Sequence, residues 1–294
     1  MELEERCDRG LIEGLAASGR WYGSVRMREW PEAVAVRSEL PTDMVNLLVL
    51  LRPPESFDRL MAEAGTFFGP RIPWKMMVKQ AATDRVQAEA PRWRLQPHGA
   101  SPGMLLNPLG TTPAPPPSIR VEAVANRTQL ADWSYVAGRC FGIPRFVLRR
   151  VFPQVPSMRD DPPTGAFVGY DGEGTPVASS FLVVARQVAT VYMVGTLPRV
   201  RRRGYGAALT WAALAAGRAA GADTGALNAT PMGRPVYERM GFRVYDPYLE
   251  WHPPTSRFVR WRALASILSL AFRSSSAAAR AAPDTPPSAT RGQK

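Results

Sequence analysis

The chain has 294 residues, 45% of them hydrophobic, with 37 Lys and Arg against 25 Asp and Glu for a formal charge of +12, enough for two small domains that each bury a core. No run approaches the roughly 18 apolar residues a spanning helix needs, and the acidic start MELEERCDRG lacks the basic-then-apolar order of a secretory signal, so a cytoplasmic protein is expected. Cys7 and Cys140 are too few for a disulfide framework and have no CxxC spacing, so neither a redox role nor a metal is expected. The positive charge is almost all Arg, with Lys only at Lys75, Lys79 and Lys294, in a chain rich in Ala, Pro and Gly. That is a compositional bias, and no nucleic-acid partner is expected from it.

In the first hundred residues, DMVNLLVLL and PWKMMV read as strands, with helical segments over Phe57 to Gly65 and Lys79 to Ala90. The stretch RWRLQPHGASPGMLL echoes the later ERMGFRVYDPYLEW, which suggests a duplicated fold whose first copy lacks a phosphate loop. Asn107 to Ser118, NPLGTTPAPPPS, cannot carry a helix or a sheet ladder and reads as an extended linker. After it come a strand SIRVEAV, a helix capped by Thr128 that runs through Leu130, Trp133, Val136 and Ala137 to Cys140, and a second helix through Phe146, Val147 and Val151. AFVGY, PVASSFLVVA and ATVYMVGT are strands, the first two joined by the turn DGEGT. An Ala-rich helix over Gly204 to Ala220, a strand TGALNA, a short helix GRPVYERM and a final strand FRVYDPYLEW complete the order β-α-α-β-β-β-α-β-α-β.

The segment VYMVGTLPRVRRRGYGAAL carries chemistry, because an apolar strand runs into a basic glycine loop that opens directly into a helix. The first amides of a helix have no intrahelical acceptor and its dipole favours negative charge, so main chain alone can cradle a diphosphate. Gly204 and Gly206 allow close approach, and Arg201, Arg202 and Arg203 add charge. No Gly-Lys-Ser/Thr follows, and Leu209 stands where a third glycine would complete GxGxxG, which sets both nucleotide motifs aside.

Arg201-x-x-Gly204-x-Gly206 in this setting resembles the Q/R-x-x-G-x-G/A signature of the GNAT N-acetyltransferase superfamily, over about Ile119 to Trp251, and NATPMGRPVYERMGF resembles the family's second block. The resemblance implies an α/β (α+β) fold, a mixed central sheet flanked by helices, here as two tandem GNAT-like domains. The expected division is a degenerate GNAT-like domain at 1–106, a Pro-rich linker at 107–118, a catalytic domain at 119–253, an amphipathic helix at 254–273 and a disordered tail at 274–294. It also implies that acetyl-CoA is the acyl donor, held by Val194, Gly195 and Thr196 along its pantetheine arm and by Arg201, Arg202, Arg203, Gly204, Tyr205 and Gly206 at its diphosphate. A primary amine of a small molecule or peptide then attacks the thioester directly, a backbone N–H near Thr196 stabilises the oxyanion, and Tyr237 is the catalytic acid that meets the departing thiolate.

Histone-type members carry a glutamate at the strand position that falls on Thr190 here, so no base is assigned; Asp160, Asp161, Glu238 and Glu250 are the nearby carboxylates. Family geometry would put the acceptor near Trp133, Cys140 and Phe141, and His252 after the last strand is expected to be exposed. Gly99-Ala100-Ser101-Pro102-Gly103 spells a hydrolase elbow, but Pro102 has no N–H for an oxyanion, so a turn is expected. Phe258, Trp261, Leu264, Leu268 and Phe272 lie near helical spacing among arginines; this helix packs on its own domain, with a partner or an anionic membrane surface as the alternative. The sequence thus reads as an acyl-CoA-dependent N-acetyltransferase. A non-catalytic acyl-CoA-binding or regulatory module is the alternative, and a nucleic-acid-binding protein the third reading.

Overall fold

A computed structural model describes residues 2–254 apart from 23, 24, 41, 146, 149–151 and 153. The expected amphipathic helix and tail lie, from residue 255 on, outside the described residues, as does part of the helix expected through Phe146 and Val151. Among the described residues no helix is long and apolar enough to cross a membrane.

The first unit contains α1 (Leu3–Tyr22), β1 (Val25–Glu29), β2 (Ala33–Ser38), β3 (Leu47–Leu50), α2 (Phe57–Phe68), β4 (Lys75–Val78), α3 (Thr83–Trp93) and β5 (Gln96–Ala100). Then follow β6 (Gly103–Leu106), β7 (Arg120–Ala123), α4 (Arg127–Phe141), β8 (Thr164–Tyr170), β9 (Pro176–Ala185), β10 (Val188–Thr196), α5 (Tyr205–Ala219), β11 (Thr224–Asn228), α6 (Arg234–Arg239), β12 (Arg243–Asp246) and β13 (Leu249–His252). Two mixed sheets result, in the orders β1-β2-β3-β4-β13-β5 and β12-β6-β11-β10-β9-β8-β7. Each has one parallel pair, β3 with β4 and β10 with β11, joined through α2 and α5 respectively. Apart from β7 the two orders superimpose, so the duplication expected from the echoing segments is present at the level of strand order.

The last strand of each unit lies in the other unit's sheet. The chain leaves the first sheet at Ser101-Pro102 and returns to it at Pro247-Tyr248, and the crossings touch, with the Ser101 amide donating to the Tyr248 carbonyl at 3.0 Å. The run Phe242 to Trp251, expected as one strand, is therefore two, because Pro247 has no ladder donor and Tyr248 turns the chain at φ 37°. A buried polar network holds the crossings. The Tyr248 hydroxyl donates to Asp8, which pairs with Lys79 at 2.6 Å, and Glu250 accepts from the Ser101 hydroxyl and pairs with Lys75 at 2.8 Å. Removing one partner of such a buried pair costs about 3–5 kcal/mol. Ser101 sits in a turn between strands of different sheets, as the missing Pro102 donor predicts.

Helix α1 binds the units together by packing on β1 and β2 of the first sheet and on β9, β10 and β11 of the second. A Cβ at Gly14 would lie 2.5 Å from the Tyr192 hydroxyl oxygen, so the helix comes close enough for that hydroxyl to donate to the Leu11 carbonyl at 3.0 Å. The linker lies along α5: Arg218 donates to the Gly110 carbonyl at 2.8 Å and the Tyr205 hydroxyl to the Ser118 carbonyl at 3.1 Å. Helix α4 is capped by Asn126 rather than Thr128, with the Asn126 side chain accepting from the Gln129 amide at 2.9 Å and the Gln129 side chain accepting from the Ala125 amide at 2.8 Å. This reciprocal arrangement satisfies two donors at once, which a threonine inside the first turn cannot do. His252 is half-buried instead of exposed, stacked on His98 with ring centroids 4.2 Å apart.

Candidate active site

Strand β10 is paired with β9 along its length, but only Val188, Ala189 and Thr190 pair with β11. From Val191 onward its other edge faces a gap, because β11 ends at Asn228 and is held by β6 on its far side. The register against β9 shifts between Tyr192 and Gly195, and Met193 stands at φ 50°, so a bulge turns the strand as it leaves β11. Ser179 fixes the bulge, its hydroxyl donating to the Met193 carbonyl at 3.1 Å. At Gly195 a Cβ would lie 2.8 Å from the Cβ and 2.9 Å from the Sγ of Cys140, so the last turn of α4 rests directly on the strand backbone. Sequence reasoning did not find Met193 or Ser179: a bulge is a mismatch in count between two strands, and neither strand alone records it.

Beyond Thr196 the chain passes through one turn over Pro198–Val200 into Arg201 to Gly204, all four exposed. Arg202 at φ 63° and Gly204 at φ 80° fold this stretch tightly, and α5 starts at Tyr205 with no side chain capping it. Its first amides stay open toward the loop, the geometry an anion needs. A Cβ at Gly206 would have the Thr196 Oγ1 at 3.7 Å and the Val194 Cγ1 at 3.9 Å as neighbours, so the helix start faces the end of β10. Arg201 folds back, its Nε donating to the Thr196 carbonyl at 3.1 Å. Val194, Thr196, Arg201 and Gly206 are thus brought together, with Gly195 in the same strand. The Tyr205 ring is buried and its hydroxyl serves the linker, so only its amide faces the loop.

Tyr237 lies on α6, buried, edge-on to Phe242 at 5.8 Å between centroids. Burial pushes its phenol up to about 12, partly offset by the Thr210 side chain beside it. Thr210 in turn donates to the Gly206 carbonyl at 2.9 Å, which ties Tyr237 to the first turn of α5.

Of the nearby carboxylates, all but Asp161 have another employment. Asp160 accepts from the Ser157 amide and the Thr164 hydroxyl, Asp161 is exposed, Glu238 pairs with Arg234 one turn away, and Glu250 belongs to the crossing. Burial would raise Glu250, but the Lys75 charge and hydrogen bonds from Lys75 and Ser101 outweigh it and hold the carboxyl below its usual range, a poor proton acceptor. Thr190 is fully buried, on the paired part of β10. Of the residues expected near the acceptor, Trp133 is core, donating to the Ser180 carbonyl at 2.8 Å, whereas Cys140 is half-buried and Phe141 exposed. Burial raises the Cys140 thiol, with Arg201 opposing, and Cys7 is pushed up to about 12 by burial and by Asp8, so neither is an activated nucleophile.

The corresponding place in the first unit is closed. All four residues of β3 pair with β4, the Leu51 and Arg52 amides donate to the Glu32 carbonyl, and the Ser56 hydroxyl caps α2 by accepting from Arg59 N. Pro53 has no N–H, and Glu55 and Asp58 add negative charge where an anion would approach.

Residues 133–242 match the family described as Acetyltransferase (GNAT) family. Among solved structures, a GCN5-related N-acetyltransferase from Kribbella flavida is similar at 19% identity and TM-score 0.68, over 87% of this chain and 97% of that one. A GCN5-related N-acetyltransferase from Sphaerobacter thermophilus aligns at 15% identity and TM-score 0.57, over 85% of this chain and 93% of its own. A tandem GNAT protein from the clavulanic acid biosynthesis pathway aligns at 14% and TM-score 0.53, over 80% and 84%. No curated protein matches the sequence. The fold is an α/β GNAT fold in a two-unit arrangement, and residues 133–242 of the chain form a domain of the GNAT acetyltransferase family.

Proposed function

We propose that the chain transfers an acetyl group from acetyl-CoA to a primary amine by direct attack, with the second unit as the catalytic one and the first as a degenerate copy that binds no nucleotide. One observation carries the reading: the unpaired edge of β10 beyond Thr190 runs straight to the uncapped start of α5. The free edge offers main-chain groups to the pantetheine arm, as an added strand would use them, and the loop from Arg201 to Gly206 offers amides and guanidinium groups to the diphosphate. The bulge at Met193 splays the strand from β11, and a main-chain amide of this stretch near Thr196 would stabilise the oxyanion formed when the amine adds to the thioester carbonyl.

As the carbon–nitrogen bond forms and the carbon–sulfur bond breaks, the sulfur leaves as a thiolate. A phenol at about 12 facing a thiol of ordinary pKa about 8.5 would lose about 5 kcal/mol by giving up its proton outright. Tyr237 therefore acts by donating a hydrogen bond to the leaving sulfur, and the ammonium created by the attack supplies the proton.

The test is thiol release from acetyl-CoA in the presence of amines, with Tyr237→Phe as the diagnostic variant. The expected result is release only with an amine present, and turnover of the variant reduced about 100-fold at unchanged affinity for CoA. Full turnover in Tyr237→Phe would remove Tyr237 from the reaction. The buried Thr190, with no carboxylate on its strand, favours a second reading as a non-catalytic acyl-CoA-binding module, which predicts binding with no thiol release for any amine.

A further inference from the structure

An amine attacks through its lone pair, so a protonated acceptor must lose a proton before it reacts. Among the described residues, the carboxylates of the elements packed near Gly195, where the free edge of β10 meets α4, are either already paired or exposed to solvent. From α4, Cys140 is a burial-raised thiol, Arg139 is a cation and Asp132 already accepts from the Tyr170 hydroxyl at 2.9 Å. From α1, Glu13 pairs with Arg186 at 2.8 Å and Asp8 is held by Tyr248 and Lys79. After β2, Glu39 is exposed beside Arg37 at 3.7 Å, and before β8 Asp160 is bound within its own turn while Asp161 is exposed. On β10 the Tyr192 hydroxyl is donated to Leu11, and at the strand's end stands a cation, Arg201, on the Thr196 carbonyl. Both histidines are stacked together on β5 and β13 in the first sheet. Residues outside the description add a single carboxylate side chain, Asp284.

The surroundings are also apolar. Ala17 of α1, Leu40 after β2, Ile143 and Val155 from the α4–β8 connection, and Tyr192 and Met193 of the bulge pack around one cluster. Both units contribute to it, so the first unit helps to form the wall on the side of β10 opposite α5.

We propose that the acceptor is a weakly basic amine, an α-amine or an aromatic amine, carried on an apolar body, and that strongly basic alkylamines of the lysine or polyamine kind react only through their scarce neutral form. The inference rests on the transferase reading and names its substrate class. An α-amine of pKa about 7.8 is about one-third neutral near pH ~7.5, an alkylamine of pKa about 10.4 about 0.1% neutral, a ratio of about 250. With no free buried carboxylate among the described residues to take the proton, the neutral fraction of each amine sets how its rate depends on pH.

The experiment compares L-leucinamide, an α-amine, with 1-pentylamine, an alkylamine of similar apolar bulk, using the full chain, acetyl-CoA and thiol release across a pH series. The kcat/KM of pentylamine is expected to rise about tenfold per pH unit up to pH ~10, whereas that of leucinamide levels off near pH ~8. L-Serinamide, the same amine on a polar body, is expected to show a KM about tenfold higher than leucinamide, the worth of about two buried methylene groups at most. A pentylamine kcat/KM that levels off well below pH ~10 would mean that the protein itself removes the proton, and would overturn the inference while leaving transfer intact. Silence with every amine while acetyl-CoA binds would overturn both the transferase reading and this inference.

Discussion

Replacing Gly195 by alanine puts a methyl group where the structure has none to spare. The new carbon would stand 2.8 Å from the Cys140 Cβ, 2.9 Å from its Sγ and 3.2 Å from the Ser179 Oγ, against about 3.5–4.0 Å for carbon atoms in comfortable contact. Strand β10 is laced to β9 and α4 is anchored by the buried Trp133, so neither side can retreat by the ångström required. Overpacking of this kind costs about 1–3 kcal/mol, about 2–10 °C in melting temperature for a chain of this size. The relief is specific: Cys140→Gly removes the obstructing side chain at about 0.3–0.5 kcal/mol of helix propensity, and the two changes together should recover about 1–2 kcal/mol relative to their sum. Urea denaturation of the two single variants and the double variant measures that coupling. A neutral Gly195→Ala, or additive effects in the double variant, would show that α4 does not rest on the strand and would remove the wall of the site with it.

Two further substitutions read the junction of the units. Gly14→Ala should cost about 1 kcal/mol by forcing its methyl group onto the Tyr192 hydroxyl 2.5 Å away. The same change in a Tyr192→Phe background should become neutral or stabilising by up to about 1 kcal/mol, because alanine is the better helix former; thermal melts that give the same sign in both backgrounds would refute the close packing. Glu250→Gln removes a carboxylate that Lys75 holds below its usual range, so its stabilisation is present above the unfolded pKa of about 4.3 and fades as pH falls through the lower folded value. Wild type should exceed the variant by about 3 kcal/mol at neutral pH, with the two converging in strong acid. A gap independent of pH in urea melts would show that Glu250 is not held as an ion.

The second unit was the more legible half. Strands from Pro176 to Ala185 and from Val188 to Thr196 and the helix from Tyr205 declare themselves because long apolar runs end at glycine turns, and the loop because Gly204 needs a backbone angle of φ 80° that other residues resist. Helix α1 did not, since Gly10, Gly14 and Gly19 weaken its local preference for helix; for Gly10 and Gly14 the reason lies in β10, far along the chain. The exchange of β6 and β13 was also hidden. An alternating or apolar run tells which faces of a strand are covered, not which sheet it joins, and the local marks of the crossings are Pro102 and Pro247. Within the site, the glycine loop and Tyr237 were named from sequence. The splay after Thr190 and the bulge at Met193 were not, because both are relations between strands.

The claim on which the account stands is that main-chain amides at the start of α5 hold a diphosphate. Titration calorimetry of the protein with CoA and with pantetheine, which has the same arm but lacks the diphosphate and the 3′-phosphoadenosine beyond it, tests it. Two charge-assisted hydrogen bonds at about 1.5 kcal/mol each predict binding of CoA about 100-fold tighter than of pantetheine. Equal affinities for the two, or no binding of CoA, would contradict the account.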